Sequence, residues 1–248
     1  MRTPTAVVLV IGNEVLSAQV EDENGPWLTR RLHDLGVALQ AIRVVPDRVD
    51  DIVDAVSHER RRVDWLFTSG GVGPTHDDVT VAAVGLALGR PLERLPALEE
   101  ALRAMHHRHT GSRDLPAATL RMADVPRGTR LMGDSAFPAL VVENVVMLPG
   151  VPSFLRFQFD RLASELAAPP FRIANVFTGL GEDAIAGLLD GVARQHPDVE
   201  IGSYPRFDET DHRVKITLVG KDVERVTTAL RALLAVLPAG GLVRTEGP

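Results

Sequence analysis

The sequence of 248 residues predicts a three-layer α/β domain built on a parallel sheet, followed by a small α+β domain. Three observations predict this. Over the first two thirds, continuous apolar runs alternate with segments of helical period, the rhythm of buried strands joined by crossover helices. A break at Ala167-Ala168-Pro169-Pro170 then separates residues 1–168 from residues 169–248. Beyond the break the order changes to β-α-β-β-α-β.

The elements follow in order. Ala6–Gly12 is rich in Val, Leu and Ile and reads as a buried strand. Asn24–Leu35 places Trp27, Leu28, Leu32 and Leu35 at helical spacing, and Gly36 stops it. Val37–Val45 is strand-like, and Val49–Arg61 carries Ile52, Val53 and Val56 on one helical face. Trp65–Thr68 is a short strand entering a glycine cluster, and Thr80–Leu88 is an Ala-rich helix ended by Gly89-Arg90-Pro91. Pro96–His109 reads as a helix and Leu115–Gly133 as less regular. Ala139–Val142 and Val145–Leu148 are further strands, and Ser153–Leu166 is a helix. After the break come strand Phe171–Phe177, helix Glu182–Ala193, strands Val199–Ser203 and Arg213–Val219, helix Val223–Leu237 and strand Leu242–Arg244. That is a ferredoxin-like split βαβ pattern.

Composition narrows the function. The net charge is −6, and acids outnumber bases on both sides of the break, which argues against a nucleic-acid partner. There is no Cys, so disulfides, thiolate nucleophiles, zinc–thiolate sites, iron–sulfur clusters and thiolate-bound haem are excluded; no haem is expected. The apolar run Ala6–Ile11 is too short for a membrane span or signal segment, so no membrane role is expected and the cytoplasm is the default compartment. Lys occurs only at 215 and 221, which removes a Walker-type phosphate loop from the first 200 residues.

Three segments at strand ends carry potential chemistry. The sharpest is Gly70-Gly71-Val72-Gly73-Pro74-Thr75-His76-Asp77-Asp78-Val79-Thr80, between a strand and a helix. Glycines let backbone approach a ligand, and free N–H groups near a helix start cradle phosphate oxygens. Thr75 and Asp78 also have capping-box spacing, so a plain capped turn competes with this reading. Two carboxylates beside an anion site repel phosphate unless a divalent cation bridges them, or one Asp accepts from a ligand N–H or O–H. The second segment is Gly12-Asn13-Glu14, with Asp22 and Asn24 downstream. The first and third strands are expected to be neighbours, which would bring Glu14 toward Asp77 and Asp78. The third is Pro149-Gly150-Val151-Pro152, where Gly150 offers a backbone N–H and Pro152 suits a first helical turn.

Together, Gly12-Asn13-Glu14, Asp22, Asn24, the 70–80 glycine–aspartate run and Leu148-Pro149-Gly150-Val151-Pro152 resemble the molybdopterin-binding (MoaB/Mog-like) domain. More closely they resemble the N-terminal domain of CinA-like competence/damage-inducible proteins, a domain that also accompanies eukaryotic FAD synthases. The resemblance covers about residues 5–166, and residues 171–244 resemble the small domain that follows in CinA-like proteins. It implies a cleft for a nucleotide or pterin phosphate. For CinA-type members it implies metal-dependent cleavage of a pyrophosphate such as that of ADP-ribose or FAD. For Mog-like members it implies molybdopterin adenylylation. Gly70, Gly71, Gly73, Thr75, Asp78 and Gly150 would line the ligand site, with Glu14, Asp77 and Asp78 as acids linked to a Mg- or Co-like ion. The resemblance also implies a homo-oligomer, a dimer or trimer. Asn13 stands where the family commonly has Asp, and Ala18 where it commonly has Gly. The deamidase domain of full-length CinA proteins has no room here, so that activity is not carried over.

The expected function is therefore metal-dependent hydrolysis of a nucleotide pyrophosphate. The catalytic and metal-linked acids would be Glu14, Asp77 and Asp78. Gly12, Asn13, Asp22, Asn24, Gly70, Gly71, Gly73, Pro74, Thr75, Thr80, Pro149, Gly150 and Pro152 would hold substrate and phosphate. His76 is the general-base candidate within a motif. The alternatives are a molybdopterin adenylyltransferase of molybdenum-cofactor synthesis and a non-catalytic ligand-binding module, the latter favoured by Asn13 and Ala18. His106, His107 and His109 read as a solvated helix face, and Arg60-Arg61-Arg62 as a helix end.

Overall fold

The computed structural model describes residues 2–133, 137–206 and 211–247. The chain divides into two compact units, residues 1–168 and 169–248. The first unit runs β1 (Thr5–Ile11), α1 (Asn13–Leu16), α2 (Asn24–Asp34), β2 (Ala38–Val45), α3 (Val49–Glu59), β3 (Trp65–Ser69) and α4 (Thr80–Ala87). It continues with β4 (Leu92–Arg94), α5 (Pro96–Thr110), α6 (Ala117–Arg121), β5 (Asp124–Pro126), β6 (Arg130–Met132), β7 (Ala139–Val142), β8 (Val145–Leu148) and α7 (Pro152–Leu166).

A sheet in the order β2-β1-β3-β8-β7-β6 forms the middle layer. Alternate residues of β1 feed two cores. Val7, Leu9 and Ile11 pack with Ile52 and Val56 of α3, Val84 of α4 and Leu98 of α5. Ala6, Val8 and Val10 pack with Leu28 and Leu32 of α2 and with Leu155 and Phe159 of α7. An apolar run without alternation is what a strand buried on both faces requires.

The sheet is mixed, which corrects the expectation of a parallel one. β2, β1, β3 and β8 are parallel, whereas β7 pairs antiparallel with β8 and β6 antiparallel with β7. The reason is chain length. Only Glu143 and Asn144 join β7 to β8, and two residues close a hairpin but not a crossover. Glu143 takes φ 52 at this turn. Asn144 Nδ2 anchors it by donating to the carbonyls of Arg60 (2.8 Å) and Val63 (2.9 Å). The segment Leu115–Gly133, read as less regular, holds α6, β5 and β6, and β5 pairs with β4 from 30 residues upstream.

Asp64 staples the start of β1 to the start of β3. Its Oδ2 accepts from Thr5 N (2.8 Å), Thr5 Oγ1 (3.0 Å) and Arg2 (3.3 Å). The Thr5 backbone N–H, aided by the Thr5 hydroxyl and Arg2, holds the Asp64 carboxyl below its ordinary range. A depressed carboxylate stabilises the fold above its unfolded pKa, and that stability is lost as pH falls through the folded pKa. Asp64→Ala is therefore expected to cost about 1 kcal/mol at pH 7. The difference from the parent should shrink below about pH 4. Urea midpoints at pH 7 and pH 3 check this.

The second unit comprises β9 (Arg172–Thr178), α8 (Glu182–Gln195), β10 (Glu200–Pro205), β11 (Val214–Gly220), α9 (Val223–Val236) and β12 (Leu242–Glu246). Its sheet is ordered β10-β11-β9-β12 with every neighbour antiparallel. Each βαβ segment is thus split by a strand of the other. Ala174, Val176, Ile216 and Leu218 bury one sheet face against Ile185 of α8 and Val226 and Leu233 of α9. Asp222 caps α9 by accepting from Glu224 N (2.8 Å) and Arg225 N (3.3 Å). No helix among the described residues is long and apolar enough to cross a membrane.

Candidate functional site

Because β1, β3 and β8 are adjacent and parallel, their carboxyl ends meet at one edge, where ligands collect in open α/β sheets. The chain leaves those ends at Gly12, Gly70 and Pro149. Asn24, 5% exposed at the start of α2, ties two of them together. Its Nδ2 donates to Ser69 Oγ (2.9 Å) and to the Gly150 carbonyl (2.7 Å). Asp22 Oδ1 holds Asn24 in place by accepting from Asn24 N (2.9 Å) and Gly25 N (3.0 Å). Gly70 lies at the crossing itself. Its N–H bonds the Leu148 carbonyl (3.1 Å), and its carbonyl accepts from Thr80 Oγ1 (2.8 Å).

The glycine loop is longer than a capped turn. α4 starts at Thr80, and no side chain caps it. Thr75 and Asp78 instead bond each other across the loop. Thr75 N donates to Asp78 Oδ2 (2.8 Å), and so does the Thr75 hydroxyl. The neighbouring Thr75 side chain and Asp77's own backbone N–H lower the Asp77 carboxyl below the usual carboxylate range. Thr80 N closes the loop on the Gly71 carbonyl (3.0 Å). Among the described residues, no acceptor takes the N–H of Gly71, Val72 or Gly73, nor that of Gly150.

These groups line one cleft of about 960 Å³. Its polar end carries Gly70, Gly71, Gly73 and Pro74, with Asp77, Asp78 and Glu14. Pro149 and Gly150 complete the lining from the β8 side. The other proposed contacts lie outside the lining and act on it from behind. Asp22, Asn24, Thr75 and Thr80 make the internal bonds above. Gly12 N bonds the Val45 carbonyl (3.1 Å), Asn13 N bonds Asp47 Oδ2 (2.7 Å), and Pro152 opens α7. Ala18, where the family has Gly, takes φ 57, a conformation that favours glycine. His76 is 99% exposed at its side chain and outside the lining.

Glu14, Asp77 and Asp78 share the cleft without forming a metal cage. Among the described residues no three His, Asp or Glu side chains gather closely enough to hold an ion. The Glu14 carboxylate folds over Gly12, 2.4 Å from where a Cβ would stand there, and Asp78 is tethered by Thr75. The expected trio of metal ligands is thus not assembled by the protein alone. The donor set still fits a hard cation of the Mg²⁺ kind, which is commonly held by one or two carboxylates plus the oxygens of a bound phosphate.

Three lining groups escaped the sequence reading. Asp47 enters from the loop after β2. His106 and His109, read as solvated, line the cleft on the α5 face that also presents Leu98, Ala101, Leu102 and Met105. The i, i+3, i+4, i+7 spacing of that face was the available signal. The third is Gln158 on α7, with Phe154 one turn before it.

The mixed α/β fold with its ligand edge at three strand ends belongs to a known class: the chain is a member of the molybdopterin-binding domain family. Residues 7–168 match the family model described as a probable molybdopterin binding domain, and residues 170–246 match the FAD synthase middle domain. The chain is 32% identical to a "Probable FAD synthase" of Caenorhabditis elegans over 93% of its own length and 50% of the relative's. It is 36% identical to a "CinA-like protein" of Anaeromyxobacter dehalogenans over 77% of this chain and 46% of the other. The crystal structure of a CinA protein of unknown function from Thermoplasma acidophilum superposes with a TM-score of 0.58 at 30% identity, covering 66% of this chain and 98% of that one. The chain spans about half the length of the two named relatives.

Proposed function

We propose that the first unit hydrolyses the phosphoanhydride of a dinucleotide such as FAD or ADP-ribose, with a divalent cation carried on the phosphates. The uncommitted N–H groups of Gly71, Val72, Gly73 and Gly150 beside three carboxylates carry this reading. Backbone N–H groups accept an anion and leave no unpaired charge when it departs. The carboxylates are then explained as partners of a cation and of the attacking water. The relatives named as FAD synthases support a flavin nucleotide among the candidates.

In this reaction a water oxygen bonds to the phosphorus on the AMP side, and the bridging P–O bond breaks. AMP and the second monophosphate leave, and the water's proton passes to a carboxylate. The N–H groups of Gly71–Gly73 would hold the non-bridging oxygens, and Asp77 and Asp78 would hold a cation if one is bound. Glu14 would accept the water's proton at its carboxylate. A bound cation supplies charge neutralisation at the phosphoryl oxygens and a more acidic water.

The test is a screen of FAD and ADP-ribose against Mg²⁺ and Co²⁺, with nucleotide products separated by chromatography. AMP release that stops on chelation is the expected result. Transfer of the nucleotide to molybdopterin would assign the cleft to an adenylyltransferase instead. Tight binding with no turnover under any metal would make the domain a ligand-binding module.

A further inference from the structure

The cleft continues past the phosphate end into an apolar half, and that half contains an anomaly. Gln158 is 6% exposed and lines the cleft. Its Nε2 donates to the Pro138 carbonyl (2.9 Å), which fixes the amide's orientation. Its Oε1 is buried and finds no hydrogen-bond partner among the described residues. A buried acceptor left unpaired opposes folding, so such a group invites a donor from elsewhere.

Four residues earlier on α7, Phe154 lies on the same helical side as Gln158 and is 52% exposed. Phe137 meets it at a ring separation of 5.5 Å and an interplanar angle of 69°. Both rings line the cleft, and Met105, Met122 and Leu102 supply further apolar wall. Thioethers and aromatic edges suit the face of a flat, polarizable ring. Such a ring, with an N–H on its edge, meets both demands at once.

We propose that Phe154 and Gln158 form a ring-recognition subsite for the fused heteroaromatic system of a flavin. The ring face stacks on Phe154 beside Phe137. The imide N–H donates to Gln158 Oε1, and the amide's second N–H is left for the neighbouring ring carbonyl. A tricyclic ring has the extra apolar edge that the methionine-lined wall calls for, which a purine lacks. This assignment deepens the proposed dinucleotide reading, since it places the flavin rather than the adenine at the far end. The two residues determine specificity; neither touches the anhydride.

Riboflavin tests this independently of phosphate chemistry, because it has no phosphate. Its fluorescence should be quenched on titration with the full chain. Phe154→Ala and Gln158→Leu should each weaken riboflavin binding by about tenfold. ADP-ribose affinity, measured by calorimetry, should stay within about twofold, and unchanged thermal melts show that the variants fold. The assignment is overturned by an absence of riboflavin binding, by displacement of riboflavin by AMP, or by a soluble pterin binding about tenfold more tightly than riboflavin. Equal losses for riboflavin and ADP-ribose in the variants also overturn it, since a merely structural role would act on both. If riboflavin binds as expected and the hydrolysis screen is blank, the subsite stands and the hydrolase reading alone fails.

Discussion

Gly70→Ala is expected to lower the stability of the first unit by at least about 3 kcal/mol and to abolish ligand binding. Gly70 has φ +110, and a Cβ built on it would lie 2.1 Å from the Ile11 carbonyl oxygen. That oxygen belongs to β1, whose core residues pack on both sheet faces, so it has no room to retreat. Rotating Gly70 away breaks its N–H bond to Leu148 or its carbonyl's bond to Thr80. Either loss moves the loop from its strand end. Gly150 would follow, because its own Cβ position is 3.3 Å from the Gly70 Cα. Gly89→Ala is the matched control. Gly89 has φ +63, but nothing lies within 4 Å of its Cβ position, so only the backbone term of about 1–2 kcal/mol applies. Urea unfolding of both variants separates the two costs. A Gly70→Ala penalty no larger than that of Gly89→Ala would show that the three strand ends are not interlocked.

The site's frame was legible because long apolar runs and their flanking motifs are local signals. Ala139–Val142 and Val145–Leu148 have the same bounds in the structure as in the sequence, and α2 opens at Asn24 as its periodicity requires. Sheet polarity was misread, although the two residues between β7 and β8 carried the information. β4 and β5 were missed because neither three-residue strand has a pattern of its own. They exist only through pairing Leu92 with Pro126 and Arg94 with Asp124. The glycine loop was seen, but its inner bonds were not. Thr75 and Asp78 have the spacing of a helix cap, and only the start of α4 at Thr80 shows that they brace a loop instead. The motif residues outside the lining are those whose side chains or backbone hold the frame. Asn24 and Thr80 look like ligand contacts in sequence because a frame that must be built one way limits its residues as tightly as a ligand does. The apolar half was hidden for a different reason. Gln158 sits within a stripe of Leu155, Phe159 and Leu162, and one polar residue in such a stripe is easily discounted. His106, His107 and His109 point in different directions around α5, which favours a solvated face; His109 is exposed as that implies, yet it and His106 also border the cleft beside Leu98 and Leu102.

Asp78→Ala is expected to reduce kcat/KM for the proposed anhydride cleavage by about 10²–10³. The substitution removes two things together, a carboxylate at the phosphate end and the acceptor that tethers Thr75. Asp78→Asn separates them. The amide keeps an oxygen for the Thr75 N–H but carries no charge, so the loop should hold its shape while the cation loses a partner. If charge is what matters, Asp78→Asn should fall nearly as far as Asp78→Ala, and raising the Mg²⁺ concentration should recover part of the loss in both. Thr75→Val supplies the converse. It deletes the hydroxyl but keeps the N–H bond to Asp78 and both carboxylates, so its rate should drop less than that of either Asp78 variant. Asp78→Asn at parental activity, with Asp78→Ala inactive, would reduce Asp78 to a loop brace. The cation would then have to be held by Asp77 and Glu14.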